Sequence, residues 1–322
     1  MLAVNDELIV VVCAADDNYA MPLAVTVRSA LVNLKSQRKI LLFIIDGGIK
    51  NHNKQKILKS LNSENCEIQF ILKPSSWLEL IELNNLEENH DQIHSLSSSF
   101  ATYYRLMIAE LLPEKFDKAI YLDCDLVVRG NLEELWETDL AENHILAATD
   151  ILIQYVSSPS GLLNYKELEI PPNAKYFNAG ILVINLKKWR DEKIAIEAIE
   201  YLKHNKEYIR FHDQDVLNVL FVGKWGELNP RWNVTPYITD VYPSWEDSPF
   251  PEEVYNSLIH EPDIIHYLTD RKPWNSRHTK LAEYFFQYVD MTAWTGWRLT
   301  LWRRLRIISA REFQKIIRGI GK

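Results

Sequence analysis

The chain has 322 residues, of which 47% are hydrophobic and 25% are charged, and this composition is typical of a folded globular protein. The length allows one large α/β domain with an appended segment as readily as two domains. A formal net charge of −8 argues against a general nucleic-acid-binding protein, so we expect no nucleic-acid partner.

The first part of the chain predicts a β-α-β-α-β unit. Apolar runs predict buried strands at Leu8–Ala14, Lys39–Ile45 and Cys66–Leu72. Helical spacing of apolar residues predicts helices at Met21–Leu34 and Asn51–Leu61. Short links between strands and helices indicate a parallel sheet with right-handed crossovers.

The same α/β pattern continues to about residue 290. Further strands are predicted at Lys118–Leu122, His144–Ala148, Gly180–Asn185 and Ile264–His266. Further helices are predicted at Trp77–Asn89, Ala101–Leu112, Leu186–Asn205, Asp213–Phe221 and Thr279–Val289, and a short helix or turn is predicted at Asn131–Trp136. Loops are predicted at His94–Ser99 and Gln154–Asn173, and a long loop of this kind usually serves binding.

The C-terminal end is strongly basic. From Arg298 to Lys322 the net charge is +7, which leaves −15 on the rest of the chain. Trp, Leu and Ile are interleaved with Arg here, as in a basic amphipathic helix on an anionic membrane surface. The alternative is a helix packed on the protein body or on a partner. We therefore predict a catalytic domain at 1–290 and a basic helical tail at 291–322.

The cysteine content and the N-terminal residues indicate the cellular compartment. Cys13, Cys66 and Cys124 have no metal-ligand spacing, and their low, odd number fits a reducing compartment. The apolar run Leu8–Ala15 is too short for a signal peptide or a membrane span, and no basic segment precedes it. We predict a cytoplasmic protein, peripheral at the inner face of the membrane, in which the Asn-Val-Thr sequon at Asn233 has no role.

Two aspartates stand at the end of the strand predicted at Lys118–Leu122. Asp123 and Asp125 are alternate residues, so an extended backbone directs both carboxylates to one side, with Cys124 facing away. An unpaired carboxylate in a core is costly, and paired oxygen ligands suit Mg²⁺ or Mn²⁺. The pattern predicts a metal site, and the alternative is a capped strand end or a surface turn.

Acidic residues also follow other predicted strands. Asp16 and Asp17 come after the first strand, and Asp150 comes after a later one. Ligands of open α/β sheets bind at the carboxyl ends of the strands, so these acids would surround one crevice. The alternative for Asp16, Asp17 and Asn18 is helix N-capping.

The chain lacks G-x-G-x-x-G and G-x-x-x-x-G-K-[ST], so a metal ion and basic side chains would hold the phosphates of any bound nucleotide. Arg105 and Lys272 are candidates for this role. His266 follows a short strand and is a candidate third metal ligand, or else a core histidine. Asp213 begins a helix, where an acid is favoured, whereas Gln214 is suited to hydrogen-bond a sugar hydroxyl.

Six motifs carry a resemblance to a known family. They are AADDNYA at Ala14–Ala20, TYYRL at Thr102–Leu106, YLDCDLVVRGNLEELWETDL at Tyr121–Leu140, YFNAGILVINLKKW at Tyr176–Trp189, HDQDVLN at His212–Asn218 and HYLTDRKPW at His266–Trp274. In this order they resemble the retaining glycosyltransferases of family 8. The pattern is most similar to bacterial lipooligosaccharide or lipopolysaccharide α-galactosyltransferases, and glycogenin is a more distant relative.

This resemblance implies a GT-A type α/β fold, a single domain with a mostly parallel central sheet flanked by helices. It implies a UDP-hexose donor and a divalent cation, usually Mn²⁺, with Mg²⁺ as the alternative. Carried over by motif, the metal ligands would be Asp123, Asp125 and His266. The uridine contacts would be Ala14, Asp16 and Asn18. The other donor and reaction-centre contacts would be Lys272 at the diphosphate, with Arg105, Asp150, Asn178, Asp213 and Gln214.

The expected chemistry suits these residue types. Cleavage of the anomeric C–O bond builds negative charge on the diphosphate, which the metal and Lys272 would stabilise, and positive charge on the sugar, near Asp213 and Gln214. We expect front-face attack, since Asp213 and Gln214 are poorly suited as nucleophiles. The acceptor would be a glycan or glycolipid, in lipopolysaccharide or other cell-surface glycan synthesis.

Three further points stay open at the sequence level. Thr269 stands where the family commonly has glycine, in the pattern H-x-x-G-x-x-K-P-W, and a glycine would let the backbone approach phosphates closely. The alternative function is a non-catalytic UDP-sugar-binding relative that acts as an assembly partner. The choice between galactose and glucose donors, which differ only at C4, also stays open.

Overall fold

A seven-stranded sheet forms the centre of the computed structural model, which describes residues 8–72 and 100–303. Its strands are β1 Leu8–Ala15, β2 Lys39–Asp46, β3 Cys66–Leu72, β4 Lys118–Leu122, β6 Ile145–Thr149, β7 Phe177–Asn185 and β8 Trp225–Glu227. A second, two-stranded sheet pairs β5 Leu126–Val128 with β9 Ile264–His266. The predicted helix Trp77–Asn89 and the predicted loop His94–Ser99 lie outside the described residues.

The strand order in the large sheet is β3-β2-β1-β4-β7-β6-β8. The pairs β1–β2, β2–β3, β1–β4 and β6–β8 are parallel. Strand β7 runs antiparallel to both of its neighbours, β4 and β6. The predicted mostly parallel sheet is therefore confirmed, with β7 as its one reversed strand.

Helices and short 3-10 turns cover both faces of the sheet. The α-helices are α1 Ala20–Asn33, α2 Asn51–Ser60, α3 Ile108–Leu111, α4 Leu132–Glu137, α5 Leu186–Asp191, α6 Ile194–His204, α7 Asp213–Leu220, α8 Ile238–Val241, α9 Glu252–His260 and α10 Ala282–Val289. Along β1, Val10 and Val12 face one apolar cluster, while Ile9, Val11 and Cys13 face another. This alternation is that of a strand buried on both faces.

Several predicted elements differ from those observed. The single helix predicted at Leu186–Asn205 is two helices, because Lys193 adopts the left-handed conformation with φ 55° between them. Most of the helix predicted at Ala101–Leu112 is a 3-10 turn, Phe100–Met107, where a threonine and aromatic residues have modest α-helix propensity. Helix α10 begins at Ala282 because Leu281 has φ 57°.

The residues that follow α10 pack against the rest of the protein as far as they are described. The Ala293 N–H donates to Ser60 Oγ at 2.9 Å, and the Trp297 ring stacks on Phe286 at 6.4 Å between centroids. Beyond them, Leu301 and Trp302 are exposed. Across the described ranges, none of the helices combines the length and the apolar character that a bilayer span requires.

Candidate active site

The two sheets bring three predicted metal ligands together. Asp123 follows β4 and Asp125 precedes β5, and the β5–β9 pairing places His266 opposite Leu126, the neighbour of Asp125. His266 Nε2 lies 3.2 Å from Asp125 Oδ1 and 3.8 Å from Asp123 Oδ2. One ligand atom from each residue lies within 4.8 Å of the other two, which is the spacing of a shared cation site.

The surroundings of this cluster fit a divalent ion. Asp125 Oδ1 is buried and has no hydrogen-bond partner among the residues that the structure describes. Burial alone would raise the pKa of Asp125, but the Lys272 ammonium holds it below the ordinary value, so the carboxylate is charged. Two carboxylates and an imidazole are suitable ligands for Mn²⁺, and the carboxylates also suit Mg²⁺.

Gly180 on β7 lies directly against the cluster. A Cβ atom built at this position would be 2.3 Å from His266 Cε1 and 2.9 Å from Asp123 Oδ2. The Gly180 carbonyl oxygen also accepts a hydrogen bond of 2.8 Å from the Asp123 N–H. Only a residue without a side chain therefore allows β7 to pass so close to the two metal ligands.

Two basic side chains border the cluster, and both are buried. Arg105 Nη2 lies 2.9 Å from Asp123 Oδ1, and its Nε lies 2.5 Å from Asp213 Oδ2. Lys272 Nζ contacts both Asp125 Oδ2 and the carbonyl oxygen of Tyr267. The two candidate phosphate-binding cations are thus next to the carboxylates that would hold the metal.

Asp150, Asn178 and Gln214 form a second polar group. Asp150 Oδ2 accepts hydrogen bonds from Asn178 Nδ2 at 2.9 Å and from Gln214 Nε2 at 3.3 Å. Gln214 Oε1 accepts from the Ala179 N–H at 3.0 Å, which fixes the orientation of its amide. Burial raises the pKa of Asp150, although these donors oppose the shift.

Asp213 is buried beneath Arg105. Burial raises the pKa of Asp213 to about 7, although the neighbouring Arg105 guanidinium opposes the shift. A carboxyl group in this position is divided between its charged and neutral forms near neutral pH. Its contact with Arg105 indicates that it holds that guanidinium in place beside Asp123.

The residues predicted to contact uridine follow β1. The Ala14 carbonyl oxygen accepts a hydrogen bond of 3.2 Å from Cys124 Sγ, so the end of β1 lies beside the two aspartates. Asp16 Oδ1 accepts from the Asn18 N–H at 2.9 Å and from the Tyr19 N–H at 3.1 Å. Asp16 therefore caps a 3-10 turn, as its alternative interpretation predicts. The uridine contacts of Ala14, Asp16 and Asn18 stay a prediction.

Thr269 adopts φ 72°, a left-handed conformation that a glycine takes without steric cost. Its Oγ1 accepts a hydrogen bond of 3.3 Å from the Arg271 N–H, which supports the turn. The loop thus has the backbone conformation that a glycine would favour, even though a β-branched residue occupies the position.

Sequence reasoning did not identify three residues that contact the cluster: Tyr121, Gly180 and Asn233. The Tyr121 hydroxyl donates to Asp123 Oδ1 at 2.8 Å. Tyr121 and Gly180 lie inside the quoted motifs, each two positions from a predicted site residue, Asp123 and Asn178 respectively. Asn233 contacts both His266 and Asn178, yet its only sequence signal was a glycosylation sequon. It lies in the segment Asn229–Pro262, which is rich in Pro, Trp and Tyr and shows no hydrophobic periodicity.

This sheet order, with two carboxylates and an imidazole where its central strand ends, defines a glycosyltransferase of the GT-A type. The chain belongs to glycosyl transferase family 8, whose sequence profile matches residues 10–278.

Individual relatives agree with this assignment. General stress protein A of Bacillus subtilis (strain 168) is 33% identical over 298 residues, which are 90% of this chain and 96% of that protein. Lipopolysaccharide 1,3-galactosyltransferase of Salmonella typhimurium (strain LT2) is 31% identical over 213 residues, which are 64% of this chain and 60% of that enzyme.

The fold matches a solved structure as well. The crystal structure of galactosyltransferase LgtC in complex with donor and acceptor sugar analogs superimposes with a TM-score of 0.71. The match has 29% sequence identity and covers 88% of this chain and 96% of that one. The predicted family and fold are therefore confirmed, and the chain is a glycosyltransferase.

Proposed function

We propose that this glycosyltransferase transfers a hexose, galactose or glucose, from a UDP-sugar to a glycan acceptor with retention of configuration, and that it depends on a divalent metal ion. The observation that carries the proposal is the convergence of Asp123, Asp125 and His266 within 4.8 Å, bordered by Arg105 and Lys272. Such a site provides anionic ligands for a metal and cationic side chains for a diphosphate.

Each residue has a role in the proposed reaction. The metal, held by Asp123, Asp125 and His266, would supply charge stabilisation for the leaving diphosphate. The Lys272 ammonium lies beside Asp125 and is placed to contact the same phosphates. Gln214 and Asp150 form the adjoining polar group, which suits hydroxyl groups of the donor sugar.

The surroundings of Asp213 and Gln214 favour front-face attack over a covalent intermediate. Asp213 is fully buried and ion-paired with Arg105, and Gln214 Oε1 is engaged by the Ala179 N–H. A nucleophile needs a free and accessible oxygen at the anomeric carbon. In the front-face route the leaving phosphate accepts the acceptor's proton. A trapped glycosyl adduct on either side chain would contradict this route.

The acceptor and the membrane surface form the last part of the proposal. A similarity to a lipopolysaccharide galactosyltransferase supports a cell-surface glycan or glycolipid as the acceptor. The basic residues near the C-terminus support contact with an anionic membrane, where a glycolipid would be presented. Galactose and glucose remain alternatives for the transferred sugar.

The test is a panel of UDP-sugars assayed for UDP release with Mn²⁺, with Mg²⁺ and with EDTA, first alone and then with candidate acceptors. We expect release from UDP-galactose or UDP-glucose only when the metal is present. Asp123→Ala and Asp125→Ala should each lower it at least about 100-fold, because each removes a metal ligand.

The matched control is Asp191→Ala. It removes an exposed aspartate that pairs with Lys187 and is distant in sequence from the candidate metal ligands. Its turnover should equal that of the unmodified chain. Equal turnover in EDTA, or in Asp125→Ala, would contradict the metal dependence. Donor binding without UDP release from any sugar would indicate the non-catalytic binding relative instead.

A further inference from the structure

A chain of buried side-chain amides joins His266 to Asp150. His266 Nδ1 lies 2.9 Å from Asn233 Oδ1, and Asn233 Nδ2 donates to Asn178 Oδ1 at 2.8 Å. Asn178 Nδ2 then donates to Asp150 Oδ2 at 2.9 Å. All four residues are buried, and Asn233 is only 4% exposed. This series of hydrogen bonds therefore connects a candidate metal ligand to the polar group proposed for the donor sugar.

The direction of these hydrogen bonds is fixed by one backbone group. The Gly180 N–H, which can only donate, lies 2.9 Å from Asn178 Oδ1. Asn178 therefore presents its oxygen to Gly180 and its NH₂ group to the Asp150 carboxylate. The only group that Asn233 can then offer to Asn178 Oδ1 is its own NH₂. A reversed Asn233 amide would bring two acceptor oxygens together.

The same reasoning extends to the imidazole. Because Asn233 directs its NH₂ to Asn178, its carbonyl oxygen faces His266 Nδ1, which must therefore carry a hydrogen. The lone pair of the neutral ring is then on Nε2, the nitrogen that faces Asp125 Oδ1 at 3.2 Å. Nε2 is the atom that lies among the carboxylates of the cluster.

We propose that Asn233 is a positioning residue, which holds His266 in the Nδ1–H tautomer so that Nε2 can bind the divalent ion. This inference rests on the proposed metal site, and it adds a residue that acts through His266 without touching the metal. Histidine ligands usually donate their second N–H to a carbonyl or carboxylate, and the loss of such a partner lowers metal affinity about 10- to 100-fold.

The first test measures Mn²⁺ binding without any sugar nucleotide, by electron paramagnetic resonance of the free ion. Asn233→Ala should raise the dissociation constant for Mn²⁺ about 10- to 100-fold. The matched control is Asn164→Ala, since Asn164 is also buried but hydrogen-bonds to Tyr201 in α6. Asn164→Ala should leave the constant unchanged. An unchanged constant in a folded Asn233→Ala protein would overturn the proposal.

The second test observes the imidazole of the unmodified chain directly, and a variant serves only to assign the signals. The protein is labelled with ¹⁵N-histidine and loaded with diamagnetic Mg²⁺, and the His266 signals are identified by their loss in His266→Gln. We expect a proton on Nδ1 and none on Nε2. A proton on Nε2, with Nδ1 unprotonated, would overturn the proposal. Both tests are independent of turnover, so a failure of the UDP-sugar assays would affect the proposed function alone.

Discussion

Asp123 and Asp125 are separated by one residue but have different partners. Asp125 is buried and contacts Lys272 and His266, whereas Asp123 is more exposed and contacts Arg105 and Tyr121. Each carboxylate thus has its own cation beside it. This arrangement keeps two like charges close together without leaving either of them unpaired.

At the residue scale, Asp213 predicts a pH dependence of stability. Its pKa is raised from 3.8 to about 7 by burial, so the folded state binds a proton that the unfolded state has released. This contribution to the free energy of unfolding is complete below pH 3.8 and is lost as the pH rises through 7. The loss is on the order of 4 kcal/mol, because one pKa unit corresponds to about 1.4 kcal/mol.

Asp213→Asn should therefore remove part of the fall in stability between about pH 4 and pH 7, the interval between the pKa of this group in the unfolded state and in the folded state. The measurement is urea-induced unfolding at several pH values in EDTA. Asp191→Asn, a change at an exposed aspartate, should keep the slope of the unmodified chain. An Asp213→Asn protein with that same slope would show that this carboxyl group does not titrate as inferred.

At the element scale, strand β7 predicts a steric effect on the metal site. Gly180→Ala would place a methyl group about 2.3 Å from His266 Cε1, so the imidazole must move away from the carboxylates. We expect Mn²⁺ affinity to fall at least about tenfold, as it does when a ligand loses its orientation. The affinity is measured by titration of the ion against each purified protein.

Gly226→Ala on β8 is the matched control for this substitution. The nearest atoms to its Cβ would be Leu146 Cδ2 at 2.6 Å and Asn143 Nδ2 at 2.8 Å, both ends of side chains that can shift. This variant should lose some stability, measured as the unfolding temperature, and keep its metal affinity. If Gly180→Ala bound Mn²⁺ normally, the close approach of β7 would not be needed for the site.

The reversed direction of β7 also explains why strand ends predicted some residues of the site and not others. Apolar runs that end in acids correctly placed Asp123, Asp125 and Asp150 at one edge of the sheet. Asn178 and Gly180 lie at the beginning of β7, which meets this edge only because the strand is antiparallel. No rule about strand ends indicates them, and for Asn178 the family motif was necessary.

Asn233 was beyond prediction for a different physical reason. It follows the short 3-10 turn Pro230–Trp232 in a segment without hydrophobic periodicity. Its position is set by long-range contacts, including the bridge between Val234 and Ile265 of β9. Periodicity reports which face of an element is buried, and it carries no information about an irregular segment whose partners are distant in sequence.

At the scale of the whole molecule, the charge distribution predicts membrane binding. Residues 304–322 contain six basic residues and one acid, a net charge of +5. Deletion of these residues should release the protein from vesicles that contain phosphatidylglycerol, since each basic residue near such a surface contributes about 1 kcal/mol. Sedimentation with the vesicles measures the effect, and UDP release from the donor should be retained.

The position of the cut matters for this experiment. A deletion after Asp290 would also remove Trp294 and Trp297, which pack against the body, so its effects on binding and on stability would be mixed. A deletion after Arg303 leaves those contacts in place. Vesicles of phosphatidylcholine alone serve as the uncharged control. Equal sedimentation of the full and shortened chains with anionic vesicles would contradict the prediction.

The burial of Asn233 has a consequence for producing the protein. Asn233 and Thr235 of the Asn-Val-Thr sequon are both almost fully enclosed. A glycan is attached through Nδ2, the atom that hydrogen-bonds to Asn178, and no bulky substituent fits in that interior. A chain glycosylated during synthesis in a secretory pathway could not close around His266. Expression in a bacterial or cytosolic host avoids this modification and preserves the native interior.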